Sequence, residues 1–544
     1  MSSSFIRTPT AAATSASPVL RKVTSFLSRV SRVGAGRISG NAHLAPPSSR
    51  TRKGPGGRPC IPCFGVHTGR DEGEELGQVW HGQVRSARSA GSLHPGFSSP
   101  CTFVAAASGA NGTILWERPA AQNGALVECT SPQPRGGEAP AACILLGRPG
   151  PFIAVNLVTG ETLWTHPNSF GGNTSILSPL LWVPDVDADG APDLLVLTRE
   201  EKQVPPHLLL PKPPAHRPGR LTPSHVLQVN GYIYSGSTGQ LVGPPGSLGV
   251  DGTSGAILHV TRTGAPYVLL PCESSLCGFS VKGLYEKATG RDSLLKTDPL
   301  WEDMLNATSH QLRLHSWGAV RYVMTIPGKA GEDLLLVTSE ACVLLDGQDL
   351  APRWTLGAAQ IHRKPVLGHY KPDTLAVVIE NGTGTDRQIL LLDLSSGAIL
   401  WSQALRGLPR DPQPASLPTA DHRSAFFFWG LHEPAGANQT DPRAAPHSLY
   451  LFHPTLPGVL LELASISAHI VASRVVLLEP GRHAACILLT GPASPDVPGL
   501  VSMAKYKVQD LVPSSRVIHL VQGGPDSDQA VRNRFSRLRY RSEA

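Results

Sequence analysis

The sequence predicts an all-β protein that folds as a β-propeller. Three observations support this prediction: an acidic loop with the spacing of a calcium site, a short phrase that recurs with a period near 48 residues, and a series of unbroken apolar runs. Such a period with short strands is typical of propeller blades, and no stretch shows a sustained helical period. The number of units indicates eight blades, with seven as the alternative.

The acidic loop, residues 185–193, carries carboxylates at positions 1, 3, 5 and 9 and Gly190 at position 6. Alternate side chains of a tight loop converge on one point, and Ca²⁺ binds roughly six to eight oxygens, so this spacing suits a hard cation. An EF-hand would need Glu at position 12, where Val196 stands. The alternative is an acidic turn without a metal. The predicted calcium ligands are Asp185, Asp187, Asp189, Ala191 and Asp193.

The recurring phrase places a small or polar residue and a Gly a few residues before a large apolar residue. Trp116 and Trp164 are 48 residues apart, and Trp354 and Trp401 are 47 residues apart. The Gly-containing turns suit two-residue or bulged hairpins. The five segments are residues 107–116, 156–164, 234–241, 345–354 and 392–401.

Seven apolar runs precede these phrases or stand alone, and their unbroken character suits strands buried on both faces. Together with the unit that ends at Trp116, they make about eight units. No apolar strand precedes that unit, so we expect an incomplete first blade. The runs are residues 142–146, 193–197, 267–270, 333–337, 373–378, 424–429 and 485–490.

One step of the repeat is too long for a single blade, because Trp164 and Leu241 are 77 residues apart. The surplus coincides with the Pro-rich residues 201–230. Proline removes donors that a strand needs, so we predict an extended, exposed insertion loop there.

Composition separates the first 96 residues from the rest. They contain 13 Lys/Arg and 4 Asp/Glu, a net charge of +9, whereas the whole chain carries +7 and the remainder therefore about −2. The remainder gives no basis for a nucleic-acid surface. We predict that residues 1–96 are disordered, with a transit peptide or an alternative first exon as other interpretations. The propeller is assigned to residues 97–515, and residues 516–544 to a basic, solvated C-terminal tail.

Five Asn-x-Ser/Thr sequons follow residue 96, more than chance predicts, and they indicate an ectodomain of the secretory pathway. They are Asn111, Asn173, Asn306, Asn381 and Asn438. Cys272 and Cys277 bracket one short loop, and Cys129 and Cys143 bracket another, so both pairs are disulfide candidates. We find no run of 18 apolar residues and no signal peptide in this sequence.

Six segments carry a resemblance to a known family: residues 97–103, 108–113, 183–198, 280–287, 424–432 and 534–540. From about residue 96 onward the chain resembles the vertebrate family with sequence similarity 234, and within it the member A branch, also described as integrin-alpha FG-GAP repeat-containing proteins. The resemblance implies a single-pass type II membrane protein with a glycosylated propeller outside the cell. Residues 1–96 and 201–230 do not match the family's pattern.

The sequence favours a binding module over an enzyme. The phrase at residues 156–164 is similar to those of quinoprotein dehydrogenases, but such enzymes carry an adjacent Cys pair that this sequence lacks. Paired catalytic carboxylates, nucleophile motifs and phosphate loops do not stand out. We therefore predict a structural Ca²⁺ and protein recognition at the cell surface, with an unidentified protein partner. A quinoprotein-like or other propeller enzyme is the alternative.

Overall fold

The structure is a computed structural model of the chain. Every residue it describes falls within one compact unit, residues 42–544. The described residues are 78–80, 102–107, 114–121, 126–130, 142–146, 151–167, 170, 174–203, 225–272, 275–314, 317–328, 331–357, 360–361, 363–407, 411–431, 447–478, 481–491, 502–521 and 526–542.

The described strands form eight antiparallel sheets, which we number 1 to 8 along the chain. Sheet 1 contains β1 (Gln78–Trp80), β2 (Thr102–Ala107) and β3 (Ile114–Ala121). Sheet 2 contains β4 (Leu126–Thr130), β5 (Ala142–Leu146), β6 (Pro151–Asn156) and β7 (Thr162–Pro167). Sheet 3 contains β8 (Thr174–Val183), β9 (Asp193–Gln203), β10 (His225–Tyr234) and β11 (Gly246–Ser247). Sheet 4 contains β12 (Ile257–Val260), β13 (Pro266–Cys272) and β14 (Ser275–Ser280).

The second half continues the same up-and-down order. Sheet 5 contains β15 (Val320–Gly328), β16 (Gly331–Thr338), β17 (Ala341–Leu345) and β18 (Pro352–Gly357). Sheet 6 contains β19 (Val366–Lys371), β20 (Thr374–Thr383), β21 (Asp386–Asp393) and β22 (Ile399–Ala404). Sheet 7 contains β23 (Ala415–Pro418), β24 (Ser424–Gly430), β25 (His447–Phe452) and β26 (Val459–Ile466), with β30 (Arg516–His519) at its edge. Sheet 8 contains β27 (His469–Leu478), β28 (His483–Gly491) and β29 (Ser502–Lys507).

Apolar clusters join consecutive sheets from sheet 2 to sheet 8, and another joins sheet 8 to sheet 1. In β9, Leu194 packs against sheet 2 and Leu195 against sheet 4, so one strand serves two interfaces. Ala105 of sheet 1 packs with Val476 and Ile487 of sheet 8, which joins the two ends of the series. This double-sided burial explains the unbroken apolar runs. The predicted β-propeller is confirmed, whereas the number of blades stays a prediction.

A Trp–Gly contact recurs between consecutive sheets. The ring of Trp116 in sheet 1 lies against Gly160 in sheet 2, and Trp354 in sheet 5 lies against Gly397 in sheet 6. The Trp116 indole N–H donates to the carbonyl of Leu157 at 3.2 Å, fixing the ring on the turn. Trp164 meets Gly239 of sheet 3 in the same way. Three of the four Trp residues of the repeated phrases thus pack on a glycine turn of the following sheet.

Replacing Gly397 with Ala tests this contact. The new Cβ would lie 2.8 Å from the Trp354 ring, at a backbone φ of +73°. Gly384→Ala is the matched control, because its φ is +61° and nothing lies within 4 Å of the added Cβ. We expect Gly384→Ala to lose about 1–2 kcal/mol in unfolding free energy. Gly397→Ala loses about 1–3 kcal/mol more through overpacking. Equal losses in urea denaturation would contradict the contact.

The described part of the propeller also carries a few short helices, which the predicted all-β class did not specify. The described residues contain α1 (Val281–Thr289), α2 (Pro299–Met304), α3 (Val508–Leu511) and α4 (Asp528–Ser536), and a 3₁₀ helix at Val512–Ser514. Ser280 caps α1 by accepting a hydrogen bond from the Gly283 amide, and a left-handed Gly290 ends it. Each of these helices has nine residues or fewer, so the sequence shows no sustained helical period at their positions. No helix in the described part of the chain is long and apolar enough to cross a membrane.

The C-terminal segment is not a solvated tail through residue 542. Strand β30 pairs with β26, and Val531 and Phe535 of α4 are buried in the core of sheets 7 and 8. Tyr540 is 3% exposed, and its amide donates to the Arg482 carbonyl. The arginines between these apolar residues dominate the composition, which is why charge counting assigned the segment to solvent.

Two other predicted boundaries need correction. Strand β1 lies inside residues 1–96, so the prediction of disorder does not hold for Gln78–Trp80; the rest of that segment lies outside the described residues. The predicted insertion, residues 201–230, is also too long at both ends. Strand β9 extends to Gln203 and β10 begins at His225, and these two residues pair. The insertion is therefore a hairpin connection no longer than residues 204–224, which also lie outside the described residues.

The buried His453 makes stability depend on pH. Burial lowers its pKa to about 4, and its ring hydrogen bonds with Thr419 and Thr455. The unfolded state therefore binds the proton more readily than the fold does. The stabilising effect is complete above the ordinary histidine pKa of about 6.5 and is lost as pH falls toward 4.

We expect His453→Gln to reduce the fall in melting temperature between pH 6.5 and pH 4, the window that this pKa defines. The exposed His422→Gln is the control and should follow the wild type. Identical pH profiles for all three proteins would contradict the assignment.

Candidate metal centre

The acidic loop connects β8 to β9 and is anchored by Asp193, the first residue of β9. Asp193 is fully buried. Its carboxylate accepts hydrogen bonds from the amides of Val186 at 2.7 Å and Gly236 at 3.2 Å. Gly236 has no room for a side chain, because an added Cβ would lie 1.9 Å from the Pro192 carbonyl oxygen. Asp193 thus holds the start of its own loop and the turn that follows β10.

Three carboxylates converge inside the loop. One oxygen each of Asp185, Asp187 and Asp193 lies within 4.8 Å of the others. Asp185 also accepts hydrogen bonds from the amides of Gly190 at 2.8 Å and Asp189 at 3.2 Å, which wraps the chain around it. Gly190 adopts a φ of +91°, as the sharp turn at position 6 requires. Local hydrogen bonds therefore build the cluster.

The other two predicted ligands lie differently. The Asp189 carboxylate accepts hydrogen bonds from the hydroxyls of Ser235, at 2.8 Å, and Ser237, both in the turn after β10. The Ala191 amide donates to the other Asp189 oxygen at 2.9 Å. The structure therefore brings three of the five predicted residues together, and Asp189 ties the loop to the neighbouring turn.

The electrostatics of the cluster favour a cation. Burial, reinforced by the charge of Asp187, raises the pKa of Asp193 to about 6 although two amides donate to it. Burial and the charge of Asp189 also raise the pKa of Asp187. The hydrogen bond from Ser237 instead lowers the pKa of Asp189. Within the described residues, no Lys, Arg or His forms an ion pair with Asp185, Asp187 or Asp193.

Sheet 5 has a carboxylate at the position equivalent to Asp193, but there an arginine pairs with it. Asp333 near the start of β16 accepts a hydrogen bond from the Gly347 amide at 3.2 Å, as Asp193 does from Gly236. An added Cβ at Gly347 would lie 1.7 Å from the Glu332 carbonyl oxygen, the same close approach as in sheet 3. Here Arg353 forms an ion pair with Asp333 at 3.0 Å.

A guanidinium thus neutralises the buried acid of sheet 5, whereas sheet 3 adds two further carboxylates at the same place. Carboxylate oxygens are the donors that Ca²⁺ prefers, and the cluster offers no nitrogen or sulfur ligand. The residues fit a hard divalent cation held by Asp185, Asp187 and Asp193.

Of the predicted glycosylation sites, two lie in the described residues. Asn306 is exposed in the turn after α2, and its side-chain oxygen accepts from the amides of Thr308 and Ser309. Asn381 lies within β20, opposite Gln388, and its oxygen accepts from the Gln360 amide at 3.3 Å. Asn111, Asn173 and Asn438 lie outside the described residues.

Cys272 and Cys277 form a disulfide that closes the hairpin between β13 and β14, as predicted. Cys143 is disulfide-bonded as well, and Cys129 is its direct cross-strand neighbour. Cys342 and Cys486 are buried free thiols, and burial raises their pKa to about 12.

Sequence reasoning missed a buried ionic network between sheets 6 and 7. The Arg387 guanidinium lies 3.0 Å from Glu380 and 3.6 Å from Asp411. His447 hydrogen bonds with Asp411 at 2.6 Å. These residues are spread over 68 positions of sequence, so no spacing pattern could have joined them.

Comparisons with known proteins place the chain in a family. A family model described as the FAM234A/B beta-propeller matches residues 79–541. The chain belongs to this family. Protein FAM234A of Bos taurus is 68% identical over 449 residues, and Protein FAM234A of Homo sapiens is 66% identical over 449; each match covers 82% of this chain and 77% of the relative.

The second branch of the FAM234A/B family is more distant. Protein FAM234B of Gallus gallus is 30% identical over 427 residues, covering 75% of this chain and 64% of the relative. The resemblance inferred from the sequence, including the member A branch, is therefore confirmed, and the matched segment begins within β1.

The two described sequons differ in access, and we expect Asn306 to be more fully glycosylated than Asn381 in secreted protein. Asn306 is exposed in a turn, whereas Asn381 is half-buried within β20 and its side-chain oxygen accepts a hydrogen bond from the Gln360 amide. Asn306→Gln should remove one glycan step on a gel, and Asn381→Gln should remove less. Peptide N-glycosidase treatment must collapse all bands to one. Equal steps for both variants would contradict the expectation.

Proposed function

We propose that this propeller is a non-enzymatic recognition module of the cell surface, stabilised by one Ca²⁺ in the loop between β8 and β9. The observation that carries the proposal is the convergence of Asp185, Asp187 and Asp193 without a neutralising side chain among the described residues. Calcium supplies the missing positive charge when bound. The remaining positions of its coordination shell are open to water, because Ca²⁺ takes roughly six to eight oxygens.

The loop stabilises more than its own hairpin. Asp189 binds the turn after β10, and Gly239 of that turn lies against Trp164 of sheet 2. The Thr238 carbonyl also hydrogen bonds with His166 of sheet 2 at 2.9 Å. A cation that orders the acidic loop therefore supports the contact between sheets 2 and 3, and with it the loops at that edge.

Placement at the cell surface is supported by three features. The disulfide between Cys272 and Cys277 is of a kind that persists in oxidising compartments. Asn306 is an exposed sequon. The family resemblance implies a glycosylated ectodomain on a type II membrane anchor. Loops on a rigid scaffold are where binding residues concentrate, so we assign recognition of a protein partner to them.

Thermal melts of the full-length protein in Ca²⁺ and in excess EDTA test the metal. We expect Ca²⁺ to raise the melting temperature by several degrees, because it binds the folded state alone. Asp187→Ala should abolish the increase. Asp303→Asn, at an exposed carboxylate of α2, is the control and should retain it.

For Asp193→Asn, we expect the difference in melting temperature from the wild type to have opposite signs in EDTA and in Ca²⁺. In EDTA the variant should melt at or above the wild-type temperature, because a buried charge and its repulsion are removed. In Ca²⁺ it should melt below the wild type, because a ligand is lost. A wild-type melting temperature that is the same in Ca²⁺ and EDTA would sink the calcium proposal.

A further inference from the structure

A cavity of about 510 Å³ opens beside the acidic loop. It is lined by Asp187 and Asp189 of the loop and by the apolar side chains of Leu241, Pro244 and Tyr285. Arg291, which follows α1, also lines it. The cavity therefore combines carboxylates with apolar surface, and one of those carboxylates, Asp189, stands outside the proposed calcium ligands.

The corresponding edge of sheet 5 shows which cationic group binds to carboxylates at this place in a blade. Asp346 occupies the place that Ser235 holds in sheet 3, immediately before the equivalent glycine. One nitrogen of the Arg262 guanidinium, from the β12–β13 hairpin of the preceding sheet, contacts both Asp346 oxygens at 2.9 and 2.7 Å. Arg353 contacts Asp346 at 2.8 Å. Guanidinium groups thus fill the acidic turn of sheet 5 from within the chain.

The acidic loop of sheet 3 is not paired with a guanidinium group in the described part of the chain. Asp187 and Asp189 form no ion pair with a Lys, Arg or His there. Three protein hydrogen bonds orient the Asp189 carboxylate: two from serine hydroxyls and one from the Ala191 amide. Its negative charge is therefore fixed in position, and no cationic side chain among the described residues pairs with it.

We propose that this cavity binds an arginine side chain of a partner protein, with the guanidinium at Asp189 and the aliphatic stem against Leu241 and Pro244. The inference deepens the proposed function, on which it rests. Long cationic side chains bury their methylene groups on apolar surface while the charged end meets a carboxylate. Arg291 in the lining disfavours a partner with a second cation beside the arginine.

The loop then has two roles, cation binding and partner binding, carried by different carboxylates. Asp185, Asp187 and Asp193 hold the cation, while Asp189 pairs with the partner. Calcium binding and arginine binding are thus measured independently, the first by the melting temperature and the second by ligand-observed NMR.

The test uses the full-length protein in Ca²⁺ and two peptides, acetyl-Leu-Arg-Leu-amide and the same peptide with neutral citrulline in place of arginine. Saturation-transfer NMR should detect binding of the arginine peptide and about fivefold to tenfold weaker binding of the citrulline peptide, as expected for loss of one charge pair. Asp189→Asn should weaken the arginine peptide to the citrulline level yet retain the Ca²⁺-induced rise in melting temperature. Asp303→Asn should behave as the wild type.

Equal binding of the two peptides, absence of binding by the arginine peptide, or an unchanged affinity in Asp189→Asn would each overturn the proposal. If Asp189→Asn does not fold, the comparison of arginine with citrulline on the wild type still decides. Failure of the calcium proposal looks different, because the wild-type melting temperature would then be the same in Ca²⁺ and EDTA whatever the peptides do.

Discussion

Burial of each sheet on both faces is the constraint on which the rest of the structure depends. The central strands place alternate side chains into the two neighbouring interfaces, as Leu194 and Leu195 do, so a sheet removed from its neighbours would expose apolar surface on either side. Contact between sheets 1 and 8 through Ala105 removes the two free faces that an open stack would have. The sheets are consequently stable only as a set.

The edge that carries the acidic loop couples local turns to this packing. Each Trp that rests on a glycine turn links one sheet to the next, and the turn after β10 makes a further link to Asp189. The loop, the turn and the Trp164 contact therefore form one continuous connection. A change in the charge of the loop therefore alters the packing between sheets 2 and 3, because closely packed turns transmit displacement to their neighbours.

Sheets 3 and 5 show two ways to accommodate a buried carboxylate at the same place in a blade. In sheet 5, Arg353 forms an ion pair with the equivalent acid, Asp333, at 3.0 Å. In the adjoining turn, burial would raise the pKa of Asp346, but the hydrogen bonds from Gln348, Arg353 and Arg262 prevail and bring it to about 2. In sheet 3, the pKa of Asp193 rises to about 6. One turn is electrostatically complete within the described residues, whereas the other has excess negative charge. This asymmetry between equivalent positions underlies both proposals.

The sequence by itself determined the propeller class, the positions of seven apolar strands and the acidic loop, because period, apolar runs and Gly placement are local properties. It also identified Cys272 and Cys277, whose short separation limits their partners. The tertiary structure alone decided that Asp189 leaves the carboxylate cluster, since Ser235 and Ser237 lie more than 45 residues away. It likewise decided that the basic C-terminal segment is folded, because the interfaces that bury Phe535 and Tyr540 form only when sheets 7 and 8 meet.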